Sequence, residues 1–249
     1  MFEKQSHKLS FFGLLFLSVL IIYFILQKSF VGDKFTCNNY ILNSYLYINL
    51  ALIIVALIVI LMDQNPLLRM DGFRGWRFIM LIIGMFGLLI ATMATNPDRV
   101  VVKHILWFGF ILLMGIMMYP IYYRTKQANT FLIVLMTTLL LVFGLTMLAF
   151  YKPEMISLSW GTGLFVALVV GIIFNIMLLF FGRGASANKM MVMLSYGFIL
   201  LFSLYILYDT KKLQVNAKIC VKPDYINESM GIFLDVINLF SRISHVTSK

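Results

Sequence analysis

Two acidic residues sit among long apolar stretches of this chain: Asp209 in "FSLYILYDTKKL" and Asp235 in "YINESMGIFLDVINLFSRI". A charge at bilayer depth costs about 2.5–3.5 kcal/mol on insertion scales, so an acid retained there faces protein or water and is functional by default. Two carboxylates within hydrogen-bonding distance in a low-dielectric site share a proton and titrate as a pair. Such a pair is a switch: protonated it joins two helices, ionised it drives them apart. Around Asp235 the polar residues Glu228, Asn238 and Arg242, with Gly231, recur at helical spacing and so occupy one helix face. The other faces carry Ile226, Met230, Phe233, Leu234, Ile237, Phe240 and Ile243. A helix with one polar stripe can lie flat on a membrane surface. Asp235, set mid-run between Leu234 and Val236, favours a buried helix whose stripe faces a wet cavity. Plainer explanations exist for the flanking acids. Asp209 ends an apolar run, where interfacial acids are common, and Glu228 near a helix start compensates the helix dipole.

The elements that must hold these residues follow from composition. Of 249 residues, 61% are hydrophobic and 12% charged, about half the charged fraction of a soluble domain. Seven runs carry no charged residue: Leu9–Leu26, Tyr45–Met62, Phe78–Thr95, Ile105–Tyr123, Gln127–Tyr151, Met155–Phe181 and Met190–Tyr208. An eighth, Tyr225–Ile243, has the length of a span but contains Glu228, Asp235 and Arg242. About 20 residues cross the hydrocarbon core, and lipid forces every backbone polar group to be satisfied within its own segment, so these runs are helices. The expected fold is an all-α polytopic membrane protein. The chain forms a single integral membrane domain over residues 1–249, with 9–26 as an extra N-terminal anchor.

Loops are expected at "VGDKFTCNN", "DQNPLLRMDGFRG", "TNPDR", "YRTKQ", "YKPE" and "GRGASANK". Small residues four apart, Gly163, Ala167 and Gly171 in the sixth run and Gly87 and Ala91 in the third, mark faces where helices can pack closely. The net charge of +10 comes from Lys and Arg scattered among the loops. With no basic stripe or stacking aromatics it reads as topology and headgroup charge, which excludes nucleic acid as a partner. Eight crossings would put 11 Lys and Arg on the side of the N-terminus and 9 on the other, too even a split to orient the chain. Cys37 and Cys220 would share a side, so a disulfide is topologically open to them, although two separate loop thiols are the simpler reading.

Other chemistries find no support. His7, His104 and His245 lie far apart, no Cys/His/Asp cluster has metal-ligand spacing, and there is neither a nucleophile elbow nor a phosphate-cradling glycine loop. No enzyme, catalytic residue, resident metal or cofactor is expected.

The segments "FSLYILYDT" and "DYINESMGIFLDVINLF" closely resemble the signature of the Bax inhibitor-1 family: Tyr-Asp-Thr closing one helix, then Asp-Tyr-Ile and Leu-Asp-x-x-Asn-Leu-Phe in the last. "LSWGTGLFVALVVGIIFNI" and "HILWFGFILLMGIMMYP" resemble earlier helices of the family, so the resemblance covers roughly 103–240. It implies a bundle of seven to eight transmembrane helices with the last helix central. It also implies a pH-sensitive calcium leak and suppression of cell death, in an endomembrane such as the endoplasmic reticulum or Golgi, or in the plasma membrane if bacterial. By motif, Asp209 and Asp235 map onto the family's paired-aspartate proton sensor. Arg99 is the candidate for the basic residue that engages the first aspartate in related proteins. Calcium, as permeant ion, needs oxygen ligands, which Glu228, Asp235 and Asn238 would supply along one wall. The other expectation is a non-conducting regulator of apoptosis acting through membrane protein partners.

Overall fold

A computed structural model describes residues 2–65, 75–182 and 184–248, the side chains of 2–9, 179 and 185 excepted. Eight α-helices make up the described chain: α1 (Phe2–Lys28), α2 (Tyr40–Gln64), α3 (Trp76–Ala94), α4 (Val100–Gln127), α5 (Phe131–Tyr151), α6 (Trp160–Phe181), α7 (Gly184–Ile219) and α8 (Tyr225–Thr247). The first seven contain stretches long and apolar enough to cross a membrane. The protein is therefore an all-α polytopic membrane protein. α8 is less apolar because of its polar stripe, yet no described residue from Pro223 to Ser248 is exposed. The outer helices present apolar side chains such as Ile83, Leu140 and Phe165 instead, as lipid requires.

The helix ends depart from the apolar runs, and the reasons are local. α7 does not stop at Asp209 but continues to Ile219, because "TKKLQVNAKI" contains good helix formers and no Gly or Pro. The connector to α8 is correspondingly short, Cys220–Asp224. Most of "GRGASANK" is the first turns of α7, which opens on Gly184 at φ 75°. "YRTKQ" likewise belongs to α4, which closes with Asn129 in the left-handed region (φ 54°) and the Thr130 amide bonded to Thr125 O. α6 begins only at Trp160, after a 3₁₀ turn at Pro153–Met155. In "VGDKFTCNN", strands β1 (Phe30–Val31) and β2 (Lys34–Phe35) form a hairpin that turns at Gly32, φ 61°. Within "DQNPLLRMDGFRG", residues 66–74 lie outside the described residues.

The described chain forms two compact units, Met1–Tyr123 with Ile219–Met230, and Arg124–Lys218 with Gly231–Lys249. In the first, α1 packs on α2, and the Tyr225 ring is enclosed by Phe35, Tyr40 and Tyr47. Three connectors are tied together here. Cys37 and Cys220 form a disulfide, against the simpler expectation of two separate thiols. Lys222 donates to Asn96 Oδ1 at 2.7 Å and to Asp98 Oδ2 at 2.6 Å. The Lys222 ammonium beside Asp98 holds its carboxyl below the usual carboxylate range. This exposed contact is therefore fully present at neutral pH and lost as pH falls through the lowered value. Lys103, with no exposed surface, donates to Asp224 Oδ2 at 2.6 Å and to Thr95 O at 2.8 Å. Asp224 also accepts from the Asn227 amide at 3.1 Å, capping α8.

In the second unit a core of Val134 (α5), Phe198, Phe202 and Ile206 (α7), and Leu239 and Ile243 (α8) is joined by Leu168 of α6. Close helix approaches in α6 lie at Gly161, where an added Cβ would meet the Tyr208 hydroxyl, and at Gly171, where it would come within 2.9 Å of the Phe198 ring. Gly163 and, in the other unit, Gly87 face open space, so the four-residue spacing identified Gly171 correctly but not the faces as wholes.

Because Lys103 is buried and paired, Lys103→Met strands Asp224 and is expected to cost about 3 kcal/mol. Adding Asp224→Asn, which keeps the cap, is expected to recover more than half of that loss. Thermal unfolding of the detergent-solubilised variants checks both values.

Candidate functional site

The polar face of α8 supplies one wall of the site. Gly231 and Asp235 stand one turn apart on that face, in the second unit. The opposite wall is α7. A Cβ on Gly231 would meet Asp209 Oδ2 and lie 3.0 Å from its Cγ. Only a residue without a side chain lets α8 come this close to a carboxylate, so Gly231 seats Asp209 one turn before Asp235. The extension of α7 explains why this works. Asp209 is mid-helix, so a continuous, packed segment rather than a flexible loop holds its carboxylate against α8.

Asp235 is 5% exposed, and its Oδ2 has no hydrogen-bond partner among the described residues. A buried carboxylate oxygen left unpaired costs free energy unless a proton, a cation or water compensates it. Asp209 and Asp235 lie within electrostatic reach of each other, and both bear on Tyr205 of α7. Thr210, next to Asp209, is buried with its hydroxyl also unpartnered. The structure therefore brings the two aspartates into one neighbourhood.

Further along the stripe, Asn238 Nδ2 donates to Leu234 O at 2.8 Å. Arg242 follows, its guanidinium 4.0 Å from the Phe198 ring centroid. With its amide oriented by this network, Asn175 of α6 accepts from both Arg242 terminal nitrogens, at 3.1 and 3.0 Å. The sequence reading placed Arg242 on the stripe but missed Asn175. The signal was available, since Asn175 is an amide deep in an otherwise apolar helix. Glu228 and Arg99 belong to the first unit. Glu228 is half-buried in the first turn of α8 and within electrostatic reach of Tyr40. Arg99 stands in the α3–α4 connector, its amide bonded to Asn96 O at 2.9 Å. Among the described residues no group of three or more His, Cys, Asp or Glu is arranged to hold a metal ion.

The packing predicts an asymmetry between glycines. Gly231→Ala pushes a methyl group into Asp209 and is expected to destabilise by about 1–3 kcal/mol. Gly163→Ala, with nothing within 4 Å, is expected to be neutral or stabilising by up to about 1 kcal/mol. Thermal midpoints of the two purified variants decide this.

Comparison with known proteins identifies a matching family. Residues 37–248 match the family described as "Inhibitor of apoptosis-promoting Bax1". The match begins after α1 and takes in α2 and α3, further towards the N-terminus than the motifs reached. A relative, the growth hormone-inducible transmembrane protein of Rattus norvegicus, is 32% identical over 112 residues. That alignment covers 42% of this chain and 32% of the relative, about a third of its length. With 37–248 matched, the chain belongs to the Bax inhibitor-1 family.

Proposed function

We propose that the protein is a pH-sensitive calcium leak path in which Asp209 and Asp235 form the proton sensor and gate. The observation that carries the reading is the placement of Asp209 against Gly231, one turn from a buried Asp235 whose Oδ2 has no partner. Two carboxylates so placed share a proton, and the shared proton joins α7 to α8. Loss of that proton leaves two like charges in a low-dielectric site, and their repulsion separates the helices. Separation exposes carboxylate and amide oxygens of the α8 stripe to a passing cation. Calcium, a hard ion that takes oxygen ligands, is the cation this stripe suits. Asp235 and Asn238 are its first oxygens, and Glu228 lies on the same helix face. Tyr205 is the neutral neighbour of the pair on α7, and Arg242 is the charge that terminates the stripe. The proposal extends to an endomembrane location and to control of cell death through calcium release.

Calcium flux into liposomes containing the purified protein, from about pH 5 to pH 8, tests the reading. Wild-type flux is expected to change roughly fivefold or more across that range. Asp209→Asn and Asp235→Asn are each expected to flatten the profile to less than roughly twofold. Flux with an unchanged pH profile in both variants would refute the sensor. No flux above empty liposomes at any pH would refute the path, leaving the pair as a clasp in a non-conducting regulator that works through protein partners.

A further inference from the structure

The three tied connectors of the first unit answer a question the charges leave open. The α1–α2 and α7–α8 connectors are separated by six spanning helices, and the α3–α4 and α7–α8 connectors by four. An even number of crossings returns a chain to the same side, so all three connectors share one face of the membrane. The Cys37–Cys220 disulfide and the Lys222–Asp98 pair, which join them, are thus consistent with α2 to α7 each crossing once. Disulfides persist in oxidising compartments and are removed by cytosolic thiols.

We infer that the face carrying Cys37 and Cys220 looks into an oxidising compartment, and that the disulfide is a reducible strap fixing the start of α8. Cys220 begins the short connector that leads into α8, and Cys37 begins the approach to α2. Cys37 is exposed and Cys220 half-buried, so a reductant on that face reaches the bond. The non-covalent ties nearby differ in strength. Lys222–Asp98 is exposed, and such pairs contribute little. Lys103–Asp224 is buried, but it holds the connector at its α8 end only. The disulfide alone fixes the end next to α7 by a bond that thermal motion does not open. Reduction therefore frees the connector at that end while Asp224 keeps its hold on α8. The inference stands apart from the ion-path reading, and none of its tests measures flux.

Three measurements on the full chain test it. In native membranes, denatured without reductant, a maleimide–polyethylene glycol is expected to add to neither cysteine, and to both after reduction; labelling before reduction would overturn the oxidising face. In sealed vesicles of known orientation, a membrane-impermeant phosphine followed by an impermeant maleimide should label Cys37 and Cys220 from one face. An added Ala128→Cys in the α4–α5 connector, three crossings away, should label from the other face only; labelling of all three from one face would overturn the topology. Reduction of the wild-type protein, and separately Cys37→Ser, is expected to speed amide exchange of Cys220–Lys222 by about tenfold or more. Unchanged exchange in the reduced wild type would overturn the strap, whether or not the variant folds.

Discussion

The structure turns on a carboxylate oxygen buried in helix α8 with no hydrogen-bond partner among the described residues. Asp235 Oδ2 cannot be left in hydrocarbon, so α8 has to be enclosed by protein along its length. That enclosure is what the burial pattern records, with no exposed position from Pro223 to Ser248. It also explains the composition of the helix. An element ringed by other helices can keep Glu228, Asn238 and Arg242 on one face, whereas α5 and α6, which meet lipid, keep almost nothing polar. The lack of a side chain at Gly231 follows from the same constraint, since the second carboxylate has to fit there.

Holding such a helix in place falls to its two ends, each within its own unit. At the start, Asp224 caps the first turn and is itself held by Lys103, while Asn227 Nδ2 donates to Met93 O at 3.0 Å. At the far end His245 meets Ser195 at 3.1 Å, Ser248 meets Thr130 at 2.8 Å, and Arg124 reaches Ser244 at 3.4 Å. Each neutral bond contributes only about 0.5–1.5 kcal/mol, but together they fix the rotation of α8. Rotation decides which residues meet α7: turning the helix by one position would replace Gly231 with a bulky neighbour, Ile232 or Met230.

Much of this was legible in the sequence, and the failures have physical reasons. Charge-free runs located the first seven helices, because lipid tolerates no other solution. They misplaced the ends wherever a helix continues past the apolar core: α7 runs on through Lys211 and Lys212, and α4 through Arg124 and Lys126, since charge does not break a helix. The stripe of α8 was readable because Glu228, Gly231, Asp235, Asn238 and Arg242 obey helical periodicity. That Gly231, rather than a polar neighbour, seats Asp209 was not readable, because contact between helices depends on rotation and depth. The same holds for the disulfide, whose partners are 183 residues apart, and for Asn175 with Arg242. Family resemblance found the aspartates, while the packing supplied the reason they meet.

The central claim is that Asp209 and Asp235 act as one titrating unit. Its most direct test is the thermal midpoint of the purified protein from about pH 5 to pH 8, for wild type, Asp209→Asn, Asp235→Asn and the double variant. A single unit predicts that either substitution removes the same pH-dependent part of stability and that the second adds nothing further. Two pH-dependent effects that sum in the double variant would show that the carboxylates titrate independently, and would contradict the account.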